Sequence, residues 1–529
     1  MLLAADKYRK KTAFQIFRDN GVYDQVSYAE FGRRAKIFAA LLRDKGIKQG
    51  DRVMILAENR PEWPIAYFGI ALAGAISVPV LVDFIEDQIC AIADHAEISA
   101  ICVTERTAAK AADLQGSIDS ANPLKSKKPI SFFMLDDADL YNDRVRSEIC
   151  AVPEKGDEED IITSGAPASI IYTSGTTGVS KGVTLSHENL VFTTLASRKL
   201  LKLYSRDRIL SVIPLAHTYE CTVGLLAAIV SGASVTYLDR PPSPVILLPA
   251  MQCLRPTAMV TVPLFIEKIY RANILPKLET KIFYKWKITR FFAVRIAGAN
   301  LMLAMGGALR FFGIGGAPLA EDAEIFLKAA AFPYSIGYGL TETSPLVTGT
   351  TPYRFTFRSA GKPIPGVELR IGTDGEIQIR GPNVMMGYYR DAERTRQAFT
   401  DDGWLKTGDL GYLDRKGSLF IRGRSKALIL GPSGENIYPE EIENLLYTSL
   451  LVEDALVVQG SKNELTALVV PSEKAPADQA VLADKLDELK QSVNKRLPAF
   501  SRLKIIVIQN EAFEKTPTRK IKRFMYTQN

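Results

Sequence analysis

Up to about residue 350 the apolar positions of the chain switch between two periods. Tyr28–Lys45 repeats them at helical spacing, Val53–Leu56 is continuously apolar, and Ile170-Ile171-Tyr172 forms another apolar run just ahead of a glycine-rich loop. Helix-like stretches alternating with short buried strands predict an α/β architecture with largely parallel sheets. From about residue 356 the texture changes. Val367–Ile371 and Glu376–Arg380 alternate apolar and polar side chains, Gly/Asp turns separate them, and Ser418–Ile421 follows. That period of two predicts a small antiparallel β-barrel or sheet over 356–423. A third texture begins near Arg424. Pro439-Glu440-Glu441 reads as the acidic first turn of a helix, Leu456–Val458 and Ala467–Val470 as strands, Ala480–Lys495 as an amphipathic helix, and Lys504–Ile508 as a last strand. The predicted fold is therefore α/β: a large N-terminal domain (1–423) of two α/β subdomains plus the small β unit, and an α+β C-terminal domain (427–529).

Two uncharged runs, Pro64–Val82 and Thr222–Leu238, approach the roughly 18 apolar residues that can span a bilayer. Each is interrupted by a Gly-Ala pair, Gly74-Ala75 or Gly232-Ala233, and continues as a β-branched run. A buried helix stopped by glycine and followed by a buried strand accounts for both. The N-terminus turns charged after Ala5, too soon for the roughly 7–15-residue apolar core of a signal peptide. Five cysteines without a CxxC pair suit a reducing compartment, and three histidines (His95, His187, His217) without HExxH spacing argue against a histidine-built metal centre. A cytoplasmic protein is expected.

The 529 residues carry 66 Lys plus Arg against 59 Asp plus Glu, a net charge of +7. This mild excess fits a protein that handles anions and is too weak to argue for nucleic acid, for which no motif is present. Part of it is local. Between Lys268 and Arg295 eight basic residues face only Glu279, with Phe283, Tyr284, Trp286, Phe291 and Phe292 interleaved. Such a segment reads either as a helix anchored peripherally in a membrane interface or as a solvated helix whose aromatic side faces the core. The second is the preferred reading.

The strongest chemical signal is Tyr172–Val183, whose Thr173, Ser174, Gly175, Thr176, Thr177, Gly178 and Lys181 combine small residues, hydroxyls and one positive charge. Backbone N–H groups in such a loop can approach phosphate oxygens closely. A strand precedes it, and Thr184–Asn189 is expected to lead into a helix. The GxxxxGK[ST] spacing of a Walker loop is absent. Further along the chain come Gly315-Gly316-Ala317-Pro318, Tyr338-Gly339-Leu340-Thr341-Glu342-Thr343, Thr407-Gly408-Asp409, Arg424-Ser425-Lys426 and Thr516–Ile521. In this order, over essentially the whole chain, these segments resemble the signatures of the adenylate-forming superfamily, which contains acyl-CoA synthetases, peptide-synthetase adenylation domains and luciferases.

The resemblance implies a role for each. The 173–181 loop would hold ATP phosphates, Gly315–Pro318 would contact adenine, and Tyr338 would offer its aromatic face to the purine with Gly339 beside it. Thr341 would bond the α-phosphate. Glu342 is a hard oxygen ligand for Mg²⁺, with the Thr173 hydroxyl as a second candidate. Asp409 would accept from the ribose hydroxyls, and Arg424 is a fork-shaped donor for ribose or phosphate. Lys426 would be the hinge (424–426) of a mobile C-terminal domain carrying the catalytic Lys520. A carboxylate attacking the α-phosphorus brings anion to anion, and a lysine there offsets the growing charge. Many relatives carry glycine just before this lysine; here the residue is Arg519.

Pro214–Glu220, with His217 placed near the substrate carboxylate, resembles the form of a central motif seen in long-chain fatty acyl-CoA synthetases, as do Glu58–Trp63, Gly434–Pro439 and Lys520–Phe524. Around 217–220 there is none of the aspartate with which peptide-synthetase domains meet an amino group. The implied acyl tunnel runs along 217–224, 261–265, 313–316 and 337–346. The implied enzyme is an AMP-forming acid–thiol ligase. ATP, Mg²⁺ and a fatty acid give acyl-adenylate and pyrophosphate; the C-terminal domain then turns about Lys426, and coenzyme A takes the acyl group with release of AMP. Two alternatives stay open: a fatty acyl-AMP ligase serving a carrier protein, and a non-catalytic nucleotide- or lipid-binding relative.

Overall fold

The computed structural model describes residues 1–18, 21–112, 114, 130–141, 162–173, 181–279, 287–430, 435–460, 464–516 and 521–526. Two large sheets dominate the N-terminal part. One has seven strands in the order Gly387–Tyr388, Lys181–Ser186, Pro167–Thr173, Ile76–Pro79, Arg52–Leu56, Ile98–Val103 and Ser131–Met134. The last five are parallel, and the apolar runs of all but the edge strand Ser131–Met134 are buried on both faces as inner parallel strands require. The other has nine strands. Its parallel centre runs Tyr334–Tyr338, Phe311–Ile314, Ala258–Thr261, Arg208–Leu210, Ser234–Leu238 and Thr12–Arg18. Antiparallel strands close both of its edges.

One core lies between the two sheets. Val53 and Ile55 of the first and Phe14, Val235 and Tyr237 of the second share it with Phe31, Phe38 and Trp63 from the helices Tyr28–Asp44 and Glu62–Leu72. Both uncharged runs of the sequence are resolved here into helix, glycine stop and strand. Gly74 (φ 79°) and Gly232 (φ 73°) take the left-handed conformation that turns each helix into the strand Ile76–Pro79 or Ser234–Leu238. No helix among the described residues is long and apolar enough to cross a membrane.

The 356–423 region forms a four-stranded antiparallel sheet of Glu368–Ile371, Glu376–Arg380, Leu405–Leu413 and Leu419–Arg424. Beyond it, Val452–Gln459, Leu465–Pro471 and Ile505–Ile508 make a three-stranded mixed sheet packed by the helices Pro439–Leu446 and Gln479–Asn494 around Ile442, Leu446, Val457, Ala467 and Leu486.

One expectation needs correction and another is refined. Thr184–Asn189 does lead into a helix, but by way of a strand. The glycine-rich loop joins two antiparallel strands, Pro167–Thr173 and Lys181–Ser186, in a hairpin, and the helix starts only at His187. Val183 and Leu185 are buried with polar neighbours between them, a strand pattern, whereas Ser186 accepts from Asn189 N at 3.1 Å and caps the helix that follows. The aromatic side of 268–295 does not all face the core: on the helix Lys287–Ala304, Phe291 is 53% and Phe292 60% exposed. Phe283, Tyr284 and Trp286 lie outside the described residues.

Candidate active site

The predicted residues come from many elements yet open onto one connected cleft of ≈ 4310 Å³. Thr173, Lys181, His217, the Gly315–Pro318 turn, Tyr338–Glu342, Asp409, Arg424 and Lys426 all line it. Ser174, Gly175, Thr176, Thr177, Gly178 and Lys520 lie outside the described residues. The positions that bracket them are in the site: Thr173 and Lys181 are cross-strand partners at the mouth of the hairpin, and Lys515, Thr516 and Ile521 line the cleft.

Beside the hairpin, Lys181 Nζ donates to Glu342 Oε1 at 2.7 Å and to Tyr388 Oη at 2.7 Å, and Tyr388 Oη donates to the same carboxylate oxygen at 2.9 Å. Burial pushes the Glu342 carboxyl up, but the charge and hydrogen bond of Lys181, with help from Tyr388, hold it below the ordinary carboxylate range. Tyr388 is a site residue that sequence reasoning misses. It stands on the short strand Gly387–Tyr388, which pairs with the Lys181 strand through Gly387–Thr184 and Tyr388–Val183. Its only sequence signal is a glycine followed by two aromatics, which says nothing about pairing across two hundred residues.

Thr173 Oγ1 is buried without a hydrogen-bond partner. An orphaned hydroxyl beside a carboxylate that stays ionised suits a Mg²⁺–phosphate group, because Mg²⁺ binds through one or two protein oxygens and substrate phosphates. Among the described residues no cluster of three or more His, Cys, Asp or Glu could hold a metal alone.

A second polar set joins Tyr338, Asp409 and Arg424: Tyr338 Oη donates to Asp409 Oδ2 at 2.8 Å, and Arg424 Nε lies 2.8 Å from Asp409 Oδ1. Asp409 and Arg424 are direct cross-strand partners in the four-stranded sheet, so the backbone register fixes this ion pair. Burial lowers and Asp409 raises the Arg424 guanidinium, and the net effect is upward. Gly339 is required by space: a Cβ would stand 1.7 Å from Pro345 O. Gly316 (φ +84°) bends the 315–318 turn, with only Val262 near. Thr341 opens the short 3₁₀ turn Thr341–Thr343. Lys426 sits in another such turn, Ser425–Ala427, exposed at the cleft wall.

His217 Nδ1 accepts from Tyr219 N at 3.1 Å, which leaves Nε2 carrying the ring proton. Behind it the Tyr219 ring lies against the strand that leads to the adenine-type turn. A Cβ on Gly313 would be 3.0 Å from Tyr219 Oη, and one on Gly315 3.2 Å from its ring. From here the cleft continues between apolar walls that include Leu247, Met251, Leu264, Ile296 and Leu301.

Residues 3–389 match the family model described as AMP-binding enzyme, and residues 427–529 match the AMP-binding enzyme C-terminal domain. A long-chain-fatty-acid–CoA ligase, FadD15, of Mycobacterium bovis is 30% identical, covering 95% of this chain and 90% of that protein. The peroxisomal long chain acyl-CoA synthetase 6 of Arabidopsis thaliana is 30% identical over 85% of this chain and 69% of its own. Among solved structures, ATP-bound MatB from Rhodopseudomonas palustris superposes with a TM-score of 0.77 at 25% identity, covering 99% of this chain and 97% of that one. With the described motif residues lining one cleft and the family models matched over most of its length, the chain belongs to the AMP-binding, adenylate-forming enzyme family.

Proposed function

We propose that this chain is an AMP-forming long-chain fatty acid–coenzyme A ligase. The observation that carries the reading is the continuity of the cleft: the Lys181–Glu342 pair, the Tyr338–Asp409–Arg424 set, His217 and apolar side chains such as Leu247, Met251 and Leu301 all line one cavity. Names of the relatives point the same way.

In this reading ATP binding separates the 2.7 Å Lys181–Glu342 pair, turning the ammonium toward phosphate and freeing the carboxylate. Glu342 and Thr173 would hold Mg²⁺, which supplies charge neutralisation on the phosphates when bound. Tyr338 and Asp409 position the nucleoside. His217 donates from Nε2 toward the fatty acid carboxylate and orients it for in-line attack on the α-phosphorus, and Lys520 stabilises the charge that develops there. We place the domain boundary at 424–426. A turn about Lys426 withdraws Lys520 after adenylation and admits coenzyme A; Arg496–Glu321, an exposed 2.5 Å ion pair between the two parts, is a contact such a turn would exchange.

A coenzyme A-dependent AMP-release assay with acids of graded chain length tests the reading. Release is expected with long-chain acids and coenzyme A together. Accumulation of acyl-adenylate without thioester would favour the carrier-protein alternative, and no acid-dependent release at all would favour a non-catalytic relative.

The exposed side of Lys287–Ala304 supports peripheral membrane contact. Phe291, Phe292, Ile296 and Leu303 (53%, 60%, 59% and 64% exposed) share it with Arg290 and Arg295, and Ile296 also lines the apolar end of the cleft. Apolar side chains flanked by cations match an anionic lipid surface, from which a fatty acid could enter directly. Flotation with anionic liposomes is expected to carry the protein upward, and Phe291→Ser with Phe292→Ser should leave it at the bottom. Equal flotation of both proteins would remove this contact.

A further inference from the structure

Glu220 is fully buried, with 0% exposure, and neither carboxyl oxygen makes a well-formed hydrogen bond, although the Ser211 hydroxyl is close enough to act on it. A charge in that position would be costly, because burial strips its hydration and no Lys or Arg among the described residues pairs with it. It opens the π-helical segment Glu220–Leu226, directly after the His217–Tyr219 turn. Local π geometry of this kind is concentrated at functional sites. The side chain folds back along its own segment over Gly224, where a Cβ would stand 2.7 Å from Glu220 Oε1. The ring of the adjoining Tyr219 lies against Gly313 and Gly315, where a Cβ would come within 3.0 and 3.2 Å of it.

We propose that Glu220 is a positioning residue for the nucleotide site: its buried carboxyl, seated over Gly224, fixes the start of the π-helical segment and so holds the Tyr219 ring against the Gly313–Gly315 strand. This deepens the proposed function without depending on the fatty acid as substrate, since it concerns the turn that family members use for AMP. Burial pushes the carboxyl up to about 8, with the nearby Ser211 hydroxyl drawing it back slightly. The groups around it do not offer compensation. Tyr219 and Cys221 adjoin it in sequence, and Tyr237 faces it from the strand Ser234–Leu238. None of these is cationic. Once ionised, Glu220 has to recruit water or leave its seat over Gly224, and Tyr219 moves with it.

The test is AMP affinity of the full chain by titration calorimetry at pH 7 and pH 9, compared with Glu220→Gln. An acid titrating at about 8 leaves roughly one molecule in ten competent at pH 9. Wild-type affinity is therefore expected to fall about ten-fold more than that of Glu220→Gln between the two pH values. Parallel pH dependence in the two proteins overturns the positioning role. Thermal melting supplies an arm without ligand. The folded state holds this proton between about 4.5 and 8 while the unfolded state does not, so stability is lost as pH rises through that window. The Tm of Glu220→Gln should gain on wild type from pH 5 to pH 8, and a constant gap overturns the buried-acid assignment. If the variant does not fold, the infrared carbonyl band of a protonated carboxyl in the wild type decides: present at pH 7 and lost by pH 9 supports the proposal, and absent at pH 7 overturns it.

Discussion

Lys520→Ala is expected to lower fatty-acid-dependent ATP–pyrophosphate exchange by about 10²–10³-fold, the loss typical when one preorganised charge-stabilising donor is removed. Thioester formation from added acyl-adenylate and coenzyme A should fall far less, because no charge builds at phosphorus in that step. The split between half-reactions separates a catalytic lysine from a lysine that merely belongs to a solvated basic tail. Equal losses in both steps would make Lys520 structural. The neighbouring Arg519 gives a second control. If the guanidinium carries the charge instead, Arg519→Ala will lose the exchange and Lys520→Ala will keep most of it. The flanking contacts show how the segment is anchored: Lys515 Nζ pairs with Asp454 at 2.6 Å, and Arg523 forks onto Glu443 at 2.7 and 2.8 Å. Basic residues on both sides of Lys520 therefore have carboxylate partners within the C-terminal part of the chain, which counters the picture of a tail whose charges all face solvent.

What the sequence made legible follows from the range of the interaction concerned. Helix stops at Gly74 and Gly232 were legible because a left-handed residue after an apolar helical run is a local requirement. The alternating strands 368–371 and 376–380 were legible because each buries one face. Local signals failed where two structures share one pattern. Thr184–Ser186 precedes a helix but belongs to a strand, because pairing with Pro167–Thr173 extends the hairpin to Ser186. The π-helical widening at Glu220–Leu226 leaves no trace in a run that is uncharged after Glu220. Phe291 and Phe292 resemble core residues in composition, and only the packing of the neighbouring Val294, Gly298 and Leu301 inward shows that the aromatic face looks out. For the site, the types of the chemical residues could be read, but their mutual pairing could not. Lys181 and Glu342 are 161 residues apart, and Tyr388 reaches them only through an edge strand.

That pairing makes Glu342→Gln the other change with a large expected effect. The substitution would keep the shape of the side chain and lose the charge that Lys181 pairs with and that, in the proposed role, Mg²⁺ would use. Adenylation should therefore fall by about two orders of magnitude, as for other single electrostatic groups at a reacting phosphate. The Mg²⁺ concentration needed for half-maximal exchange should rise with it. The stability cost should be smaller than the kinetic one. Leaving a fully buried charge alone costs about 3–5 kcal/mol. Lys181 is 30% exposed and keeps its bond to Tyr388, so about 1–3 kcal/mol is the expected loss. Its pH dependence has a definite sign. The Glu342 carboxyl lies below its ordinary value in the folded chain, so its contribution is present above the ordinary carboxylate range and disappears as pH falls through the folded value. The Tm difference between wild type and Glu342→Gln should therefore be full at pH 7 and shrink on acidification below about 4.5. A gap that persists undiminished in acid would mean that packing, not the ion pair with Lys181, is what the substitution removed. A normal Mg²⁺ response in the folded variant would move the metal-holding role away from Glu342 and leave Thr173 and the substrate phosphates to carry it.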